Sequence, residues 1–270
     1  MTPRADVLIL GSGPSAAYAV LACEDAGMSC EVMSNRGPNV SQVGAFFLHW
    51  VPDRLEAKPT KVQVWGVGTR EGYLTKQWGP EFRGIPTSFP SEERMEKWYP
   101  SSALSRVWEQ VSYHRGAVAG DADLAKLGGQ YGRVFHTFSS QRSGTSRRLQ
   151  MFPTLSRQQR EERDYGSNLV IYNGDPAEAH IRVTVAWGRL SVEFPRGTPQ
   201  GEVRGYRRQF RGEPDTVMLR DILPTTAPVS REERVADNVI PLGRFATWDR
   251  RALSHHAYQG VLDALKETVR

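Results

Sequence analysis

Residues 6–34 read DVLILGSGPSAAYAVLACEDAGMSCEVMS, and this stretch decides the fold of the chain. The apolar run at 7–10 is typical of a buried parallel strand, and the glycines after it turn the chain into a helix of small apolar residues. Gly27 is placed to end that helix in a left-handed cap, and 30–33 is the second strand. A strand, a glycine turn, a helix and a strand within about 30 residues predict the βαβ unit of a Rossmann-like α/β domain.

The glycine turn has the form G-x-G-x-x-A, which indicates dinucleotide binding when it lies between a strand and a helix. Gly11 permits the tight turn, Gly13 lets a pyrophosphate approach the backbone at the helix N-terminus, and Ala16 keeps the helix close to the sheet. We therefore predict that the turn contacts a cofactor through Gly11, Gly13, Pro14, Ser15 and Ala16.

The end of the second strand lacks the acidic residue that usually binds the ribose hydroxyls of the dinucleotide. Ser34, Asn35 and Arg36 occupy this place and are the predicted ribose contacts. A hydroxyl or an amide can still hydrogen-bond a ribose, although without the charge assistance of a carboxylate. Arg36 could instead hold a 2′-phosphate, so NADP stays open as an alternative at this point.

The remaining chain leaves the cofactor domain twice and returns to it. Alternating aromatic-rich segments at 62–65 and 73–78 predict a hairpin, and the polar stretch 139–166 predicts a long loop. Other predicted elements are a helix at 101–111, strands near 116–119, 133–138, 169–172, 181–187, 190–194 and 238–242, and a helix at 253–269. We expect a cofactor domain of 1–50, 101–140 and 236–270, with 51–100 and 141–235 forming an inserted, mostly antiparallel β substrate domain.

Composition narrows the class of protein. Charged residues make up 24% and hydrophobic residues 39% of the chain, values that are typical of soluble globular proteins. No apolar run approaches the roughly 20 residues needed to cross a bilayer, and the start shows no signal-peptide pattern, so we expect a cytoplasmic protein without a membrane partner. Cys23 and Cys30 lack the spacing of a zinc site, and no metal is expected.

The formal net charge of the chain is +5, and its arginines are clustered in two segments. Residues 142–163 carry six arginines against two glutamates, and a smaller group lies at 204–211. These segments are either solvated loops or contacts to a phosphate-bearing substrate. Under the second interpretation the candidate contacts to a substrate or to DNA include Arg147, Arg148 and Arg157.

The stretch from Val239 to Trp248, VIPLGRFATW, carries a more specific signal. It resembles the last strand–turn–helix of glutathione-reductase-type FAD proteins, and in particular the G-R-x-A-x-aromatic stretch of UDP-galactopyranose mutases and their amine-oxidase relatives. This resemblance implies that the cofactor is FAD, that Gly243 and Arg244 bind its diphosphate, and that Leu253 and Ser254 lie near the flavin pyrimidine edge. A helix N-terminus at that edge would stabilise a reduced, anionic flavin.

A looser resemblance covers most of the chain. Four stretches of the chain resemble, in the same order, segments of small FAD-binding oxidoreductases of tailed bacteriophages and actinobacteria. These stretches are Gly44–His49, Gly68–Tyr73, Tyr131–Thr137 and the closing Gly243-Arg244. Some members of that group are flavin-dependent lyases of thymidine hypermodification, which oxidise a glycine attached to the base and leave an aminomethyl base. The resemblance therefore implies DNA modification in a host cytoplasm, if the chain is phage-encoded.

This resemblance also suggests side-chain roles. His49 follows the Gly44-Ala45 turn that is expected beside the flavin, so it is the first candidate for a catalytic polar group over the ring. Arg70, also a catalytic candidate, and Lys76 could hold a carboxylate or a phosphate. We further expect a cofactor contact at Val118. We expect three tryptophans on sheet strands to lie in the core: Trp65, Trp78 and Trp187. One of them could instead stack on a ligand.

The leading interpretation is a FAD-dependent oxidase or lyase for an amine-bearing substrate, with a glycine-modified thymidine in phage DNA as the specific candidate. The first alternative is a small-molecule flavoenzyme, such as a mutase for nucleotide sugars or an NAD(P)H-dependent oxidoreductase. A non-catalytic flavin-binding partner subunit is the third. The sequence does not indicate an oligomeric state.

Overall fold

A computed structural model describes residues 5–37, 45–82, 89–118, 120–138, 147–158, 168–207, 215–222 and 228–267. The strands are β1 (Val7–Leu10), β2 (Cys30–Ser34), β3 (Phe47–Leu48), β4 (Thr60–Gly68), β5 (Arg94–Pro100), β6 (Ser112–Arg115), β7 (Arg133–His136), β8 (Leu149–Gln158), β9 (Leu169–Gly174), β10 (Arg182–Ala186), β11 (Arg189–Glu193), β12 (Asp215–Ile222) and β13 (Val239–Pro241). The helices are α1 (Pro14–Asp25), α2 (Arg70–Trp78), α3 (Val107–Gln110), α4 (Asp121–Gly128), α5 (Gln200–Arg207), α6 (Gly243–Thr247) and α7 (His256–Lys266).

The chain forms two compact units, each built from separate segments. The first unit comprises Met1–Ser41, Ser101–Arg148 and Thr225–Arg270, and the second comprises Gln42–Pro100 and Leu149–Pro224.

A five-stranded sheet in the order β13-β7-β1-β2-β6 forms the centre of the first unit. Every neighbouring pair is parallel, and Leu10 is in register with Met33 on one side and His136 on the other. The four residues of β1 are at most 1% exposed, as expected of a strand with both faces covered. The order of the strands reverses beside β1, and open α/β sheets bind their ligands at the carboxyl ends of strands at this point.

Helix α1 packs tightly in the first unit because its sequence is apolar on every side. Its residues from Ala16 to Cys23 are all buried. The small alanines let α1 lie close to β1 and β2, and α7 packs along it. Gly27 follows the helix with φ +68°, which is the left-handed cap that the sequence predicts.

The second unit is built on an eight-stranded sheet in the order β12-β8-β11-β10-β9-β4-β5-β3. All neighbouring pairs are antiparallel except β4 with β9. Neighbouring residues on β9 point to opposite faces, so Val170 packs with α2 residues such as Leu74, and Leu169 packs with Val203 of α5. The sheet therefore has a hydrophobic core on each face.

The predicted hairpin at 62–78 is wrong in its second half. Residues 62–65 lie on β4 as expected, but residues 73–78 belong to helix α2, so Arg70 and Lys76 lie on a helix and not on a hairpin. Thr69 caps this helix by accepting a 3.0 Å hydrogen bond from the backbone N–H of Gly72. Its buried residues Leu74 and Trp78 are four positions apart and share one face, a spacing that a short alternating pattern does not distinguish from a strand.

The predicted loop at 139–166 is also wrong where the structure describes it, because 149–158 is strand β8. The helix expected at 101–111 is a 3₁₀ turn at Ser101–Leu104 followed by the short α3. The strand expected at 116–119 lies before that range, at Ser112–Arg115, and is β6. Trp187 lies in the turn after β10 and is 41% exposed, which corrects its assignment to the core. Helices α4 and α5 and strand β12 were not expected from the sequence.

The predicted fold class is confirmed: a parallel Rossmann-type sheet is combined with a second, mostly antiparallel sheet. Within the described ranges, no helix is long and apolar enough to cross a membrane. The same part of the chain holds no group of three or more His, Cys, Asp or Glu side chains arranged for a metal ion.

Candidate cofactor-binding site

The first glycine turn lies at the carboxyl end of β1, where the strand order reverses. Gly11 has φ +119°, and a Cβ atom there would lie 2.1 Å from the Thr137 hydroxyl oxygen on the loop after β7. The N–H of Gly11 donates to the Met33 carbonyl at 2.9 Å, and the Thr137 hydroxyl donates to the Leu10 carbonyl at 3.1 Å. Only glycine fits this position, because both the backbone angle and the space exclude a side chain.

Gly13 leaves the N-terminus of α1 open. It is the N-cap of the helix in an extended conformation, without a side-chain cap, and among the described residues no other atom lies within 4 Å of the Cβ position. Pro14 occupies the first turn, and the N–H groups of Ala16 and Ala17 donate to the Gly13 carbonyl at 3.0 and 3.1 Å. A twelve-residue helix with no described atom against the Cβ position of its N-cap can bind an anion through its dipole and its first N–H groups.

The second glycine turn, which follows β13, lies directly against the first. Gly243 has φ +73°, and a Cβ atom there would lie 2.4 Å from the Ser15 hydroxyl oxygen. The Thr247 hydroxyl donates to the Gly243 carbonyl at 2.8 Å, which closes the short helix α6. The parallel sheet therefore brings together two predicted diphosphate contacts, Ser15 and Gly243, from opposite ends of the sequence.

Arg244 follows the second glycine turn and is bonded to the residues before α7. The Arg244 side chain is half-buried, and its Nε donates to the Ala252 carbonyl at 3.4 Å. Leu253 donates its N–H to His256 Nδ1 at 3.2 Å, and the Ser254 carbonyl accepts the N–H of Ala257. Helix α7 begins at His256, so the predicted Leu253 and Ser254 lie in the turn before it.

The end of β2 carries hydroxyl groups. Ser34 is buried, and its Oγ lies 3.1 Å from Ser12 Oγ and accepts the N–H of Arg36 at 3.2 Å. The Tyr113 hydroxyl donates to the carbonyls of Ser34 and Arg36. Asn35 and Arg36 are exposed. Paired serine hydroxyls thus stand where a carboxylate is usual, at the edge where a ribose would lie.

The other predicted cofactor contacts are distributed differently. Val118, beyond β6, is half-buried and packs against the core cluster that contains Leu10. Gly44 lies outside the described residues. Ala45 belongs to the second unit, where its N–H donates to Ser191 Oγ at 2.6 Å.

The two catalytic candidates both lie in the second unit. His49 follows β3, and its ring meets Trp98 edge-on at a centroid distance of 4.7 Å. Burial among neighbouring atoms lowers the pKa of His49 below its ordinary value, and the charge of Glu96 opposes the shift. Arg70 is exposed at the start of α2.

Lys76 reaches across from α2 to the β9–β10 connection, where its Nζ donates to the His180 carbonyl at 3.2 Å. Burial lowers the pKa of Lys76, whereas the charges of Asp175 and Glu178 favour its protonated form. The Lys76 amine is therefore hydrogen-bonded within the second unit and interacts with the carboxylates of Asp175 and Glu178. This environment disfavours an anionic ligand.

A hydrogen-bonded network around His180 was not expected from the sequence. The Asn173 amide nitrogen lies 3.0 Å from His180 Nε2, and the Asp175 N–H fixes the amide by donating to Asn173 Oδ1 at 2.8 Å. His180 Nδ1 lies 3.3 Å from the Tyr206 hydroxyl, which donates to Glu178 at 2.6 Å. Burial lowers the pKa of His180, and the network joins α5 to the β9–β10 connection. Four of its members lie within residues 173–180, but Tyr206 lies on α5, so no short motif identifies the whole network.

The arginine-rich segment contributes an internal ion pair. Arg147 donates from both terminal nitrogens to Glu233, at 2.7 and 2.8 Å, and to the Pro228 carbonyl at 3.1 Å. These bonds, together with the Ser230 N–H, lower the pKa of Glu233 to about 2. Arg148 is exposed, and the Arg157 side chain lies outside the part of the chain that the structure describes. Arg147 is thus engaged by its own chain.

The chain matches no protein-family model and no curated protein sequence. Among solved structures it is similar to a reduced UDP-galactopyranose mutase, with a TM-score of 0.60 and 10% identity over 98% of this chain and 96% of that one. A glycerol-3-phosphate dehydrogenase from Bacillus halodurans, solved in complex with FAD, gives 0.58 and 10% over 99% and 65%. A 2-methyl-3-hydroxypyridine-5-carboxylic acid oxygenase gives 0.50 and 11% over 96% and 80%. The chain therefore has the fold of the FAD-binding Rossmann flavoproteins.

Proposed function

We propose that the chain binds FAD at the two glycine turns and is a flavin-dependent oxidoreductase for an amine-bearing substrate. One observation carries the proposal. The open N-terminus of α1 at Gly13 lies beside the Gly243 turn, so two segments expected at a diphosphate meet at the switch point of a parallel sheet. The FAD-bound structure of the similar dehydrogenase supports the choice of cofactor.

The described residues fit such a cofactor. The N-terminus of α1 would face the diphosphate, the Ser12 and Ser34 hydroxyls would meet the adenosine ribose, and Arg244 would lie near the diphosphate from the other turn. When bound, the flavin supplies a hydride acceptor for a C–H bond beside an amine. The chain itself must hold the substrate and keep its amine unprotonated, and we propose His49, whose pKa burial lowers, as the polar group for this task.

For the substrate, we propose a glycine-modified thymidine in phage DNA. The glycine carbon beside the amine would lose a hydride to the flavin, and water would hydrolyse the resulting imine, which releases glyoxylate and leaves an aminomethyl base. The sequence resemblance supports this choice. The exposed Arg148 suits a phosphate contact, whereas the ion pair of Arg147 with Glu233 does not. A nucleotide-sugar mutase remains the second candidate, because the similarity in fold to the mutase extends over 98% of this chain.

The test begins with the purified protein. Its released cofactor is identified by chromatography and mass spectrometry, and the visible flavin absorbance is followed without oxygen as candidate substrates are added. Bleaching by glycine-modified thymidine DNA without NADPH is the expected result. Bleaching only by NADPH, or only by free amines, would replace the lyase with a small-molecule oxidoreductase. A colourless protein that takes up no added FAD would remove the flavoenzyme proposal.

The DNA contact is tested separately through its salt dependence. Arg148→Ala should lower the slope of log affinity against log salt by about 0.9, which is the effect of one lost phosphate contact. Arg196→Ala is the matched control, because Arg196 is an exposed arginine outside the arginine-rich segment. Equal slopes for both variants and the unmodified protein would exclude Arg148 from the contact with DNA.

A further inference from the structure

The turn between β10 and β11 holds a bulky residue in a conformation that disfavours it. Trp187 and Gly188 form this two-residue turn with φ +46° and +72°. Turns of this kind usually carry Asn-Gly, because a side chain branching from a left-handed backbone is strained. The Trp187 N–H donates to Asn168 Oδ1 at 3.2 Å, which holds the backbone in place. Strain of this sort is retained where the side chain has a use at that position.

The indole ring of Trp187 begins a row of aromatic rings in the second unit. Phe47 on β3 meets Trp187 edge-on at a centroid distance of 5.0 Å, and it meets Trp98 on β5 at 5.5 Å with a tilted geometry. His49 continues the row beyond Trp98. The N–H of Ala45 is bonded to Ser191 on β11, so the segment that carries Phe47 is anchored on the sheet.

The row does not bury its first ring. Trp187 is 41% exposed, whereas Trp78 in the core of the same unit is 5% exposed. Its contact with Phe47 is edge-on, an arrangement that leaves indole surface open to a further planar ring. Arg189 closes the same turn, and its Nη1 donates to Ser156 Oγ on β8 at 3.0 Å, so its guanidinium is held by the sheet.

We propose that Trp187, supported by Phe47, is a stacking platform for the nucleobase of the substrate. This inference rests on the proposed function, since a modified thymidine in DNA and a nucleotide sugar each carry a base. Aromatic side chains stack on the π-face of a base without needing to read its edges. A base explains both the exposed indole and the strained backbone that presents it.

The experiment compares base-bearing probes with base-free probes. Binding of single-stranded oligothymidylate, of an abasic oligomer of equal length, of UDP and of inorganic pyrophosphate is measured by calorimetry on the FAD-loaded protein. Trp187→Gly removes the ring and also relieves the strained backbone, so the fold should be retained. We expect weaker binding of oligothymidylate or UDP by about 5–150-fold, the equivalent of 1–3 kcal/mol of stacking, and unchanged binding of the probes without a base.

Two further variants make the result specific. Trp187→Phe keeps an aromatic ring and should retain most of the affinity, whereas Val67→Ala trims an apolar side chain that is 40% exposed on β4 and should have no effect. Loss for oligothymidylate alone assigns the base to DNA, and loss for UDP alone or for both assigns it to a nucleotide. Unchanged binding of all four probes to Trp187→Gly overturns the proposal, as does equal weakening of base-bearing and base-free probes. Altered self-association as the sole effect of the variant would also overturn it.

The outcome is separable from that of the proposed function. Trp187-dependent base binding by a protein whose flavin no amine bleaches would keep the platform and reject the amine oxidation. Bleaching by amines with base binding indifferent to Trp187 would do the reverse.

Discussion

Replacing Gly13 by valine is the most direct test of the cofactor site, because the structure separates its effect on binding from its effect on folding. Gly13 has φ −87°, which any residue adopts, and nothing in the described part of the chain lies within 4 Å of its Cβ position. The variant should therefore fold, with at most a small loss of stability, because valine is a poorer N-cap than glycine. The new side chain would fill the space through which a diphosphate must approach the first N–H groups of α1.

The size of the effect follows from the hydrogen bonds that are lost. A hydrogen bond to a charged group is worth about 1.5–3 kcal/mol, so each lost contact lowers FAD affinity by roughly 10–150-fold. The assay is the FAD content after purification, followed by titration with FAD and by thermal unfolding without cofactor. Gly201→Val on α5 is the matched control, since its Cβ position is also open. Full FAD content in Gly13→Val, or an equal loss in Gly201→Val, would refute the assignment of this turn.

Three further outcomes are expected. Arg244→Ala should weaken FAD binding by about 10–150-fold, measured by the same titration, and unchanged affinity would remove Arg244 from the diphosphate site. Arg147→Ala should destabilise the protein to urea by about 1 kcal/mol, because Glu233 is 36% exposed. Since the folded state lowers the Glu233 pKa from 4.5 to about 2, this difference should be complete above pH 4.5 and should shrink as the pH falls toward 2. Arg182→Met should cost about 3–5 kcal/mol in urea unfolding, because it leaves the 7%-exposed Glu193 without its 2.6 Å partner, and adding Glu193→Leu should recover most of the loss.

The sequence was sufficient to predict an element where the local preference of its residues agrees with their place in the fold. The apolar β1, the glycines after it and the small residues of α1 have one compatible arrangement, and the structure confirms the Rossmann-type sheet that they predict. The expectation failed at β8, because its polar residues Gln150, Thr154 and Ser156 are buried in a sheet and do not follow the hydrophobic pattern of a strand.

The candidate site was predictable only in part, for a similar reason. The close approach of Gly243 to Ser15 follows from parallel pairing of strands that lie far apart in sequence, and a glycine motif at each end suggested it. The partner of Arg147 could not be predicted, because Glu233 lies on a distant segment without a motif of its own. The exposure of Trp187 likewise depends on a turn geometry that its sequence does not favour.

The order of segments along the chain also has a consequence for the time course of folding. Strand β7 pairs with β1 on one side and with β13 on the other, and β13 is synthesised only after the whole second unit. The contact between Ser15 and Gly243 closes a loop of nearly the full chain, and loops of this length make folding slow. We expect capture of the cofactor to be a late event on the folding pathway, so that flavin fluorescence should change after most secondary structure has formed. Until β13 is synthesised, the nascent chain would carry an unpaired strand edge on β7. A chaperone or another nascent chain could pair with this edge during that time.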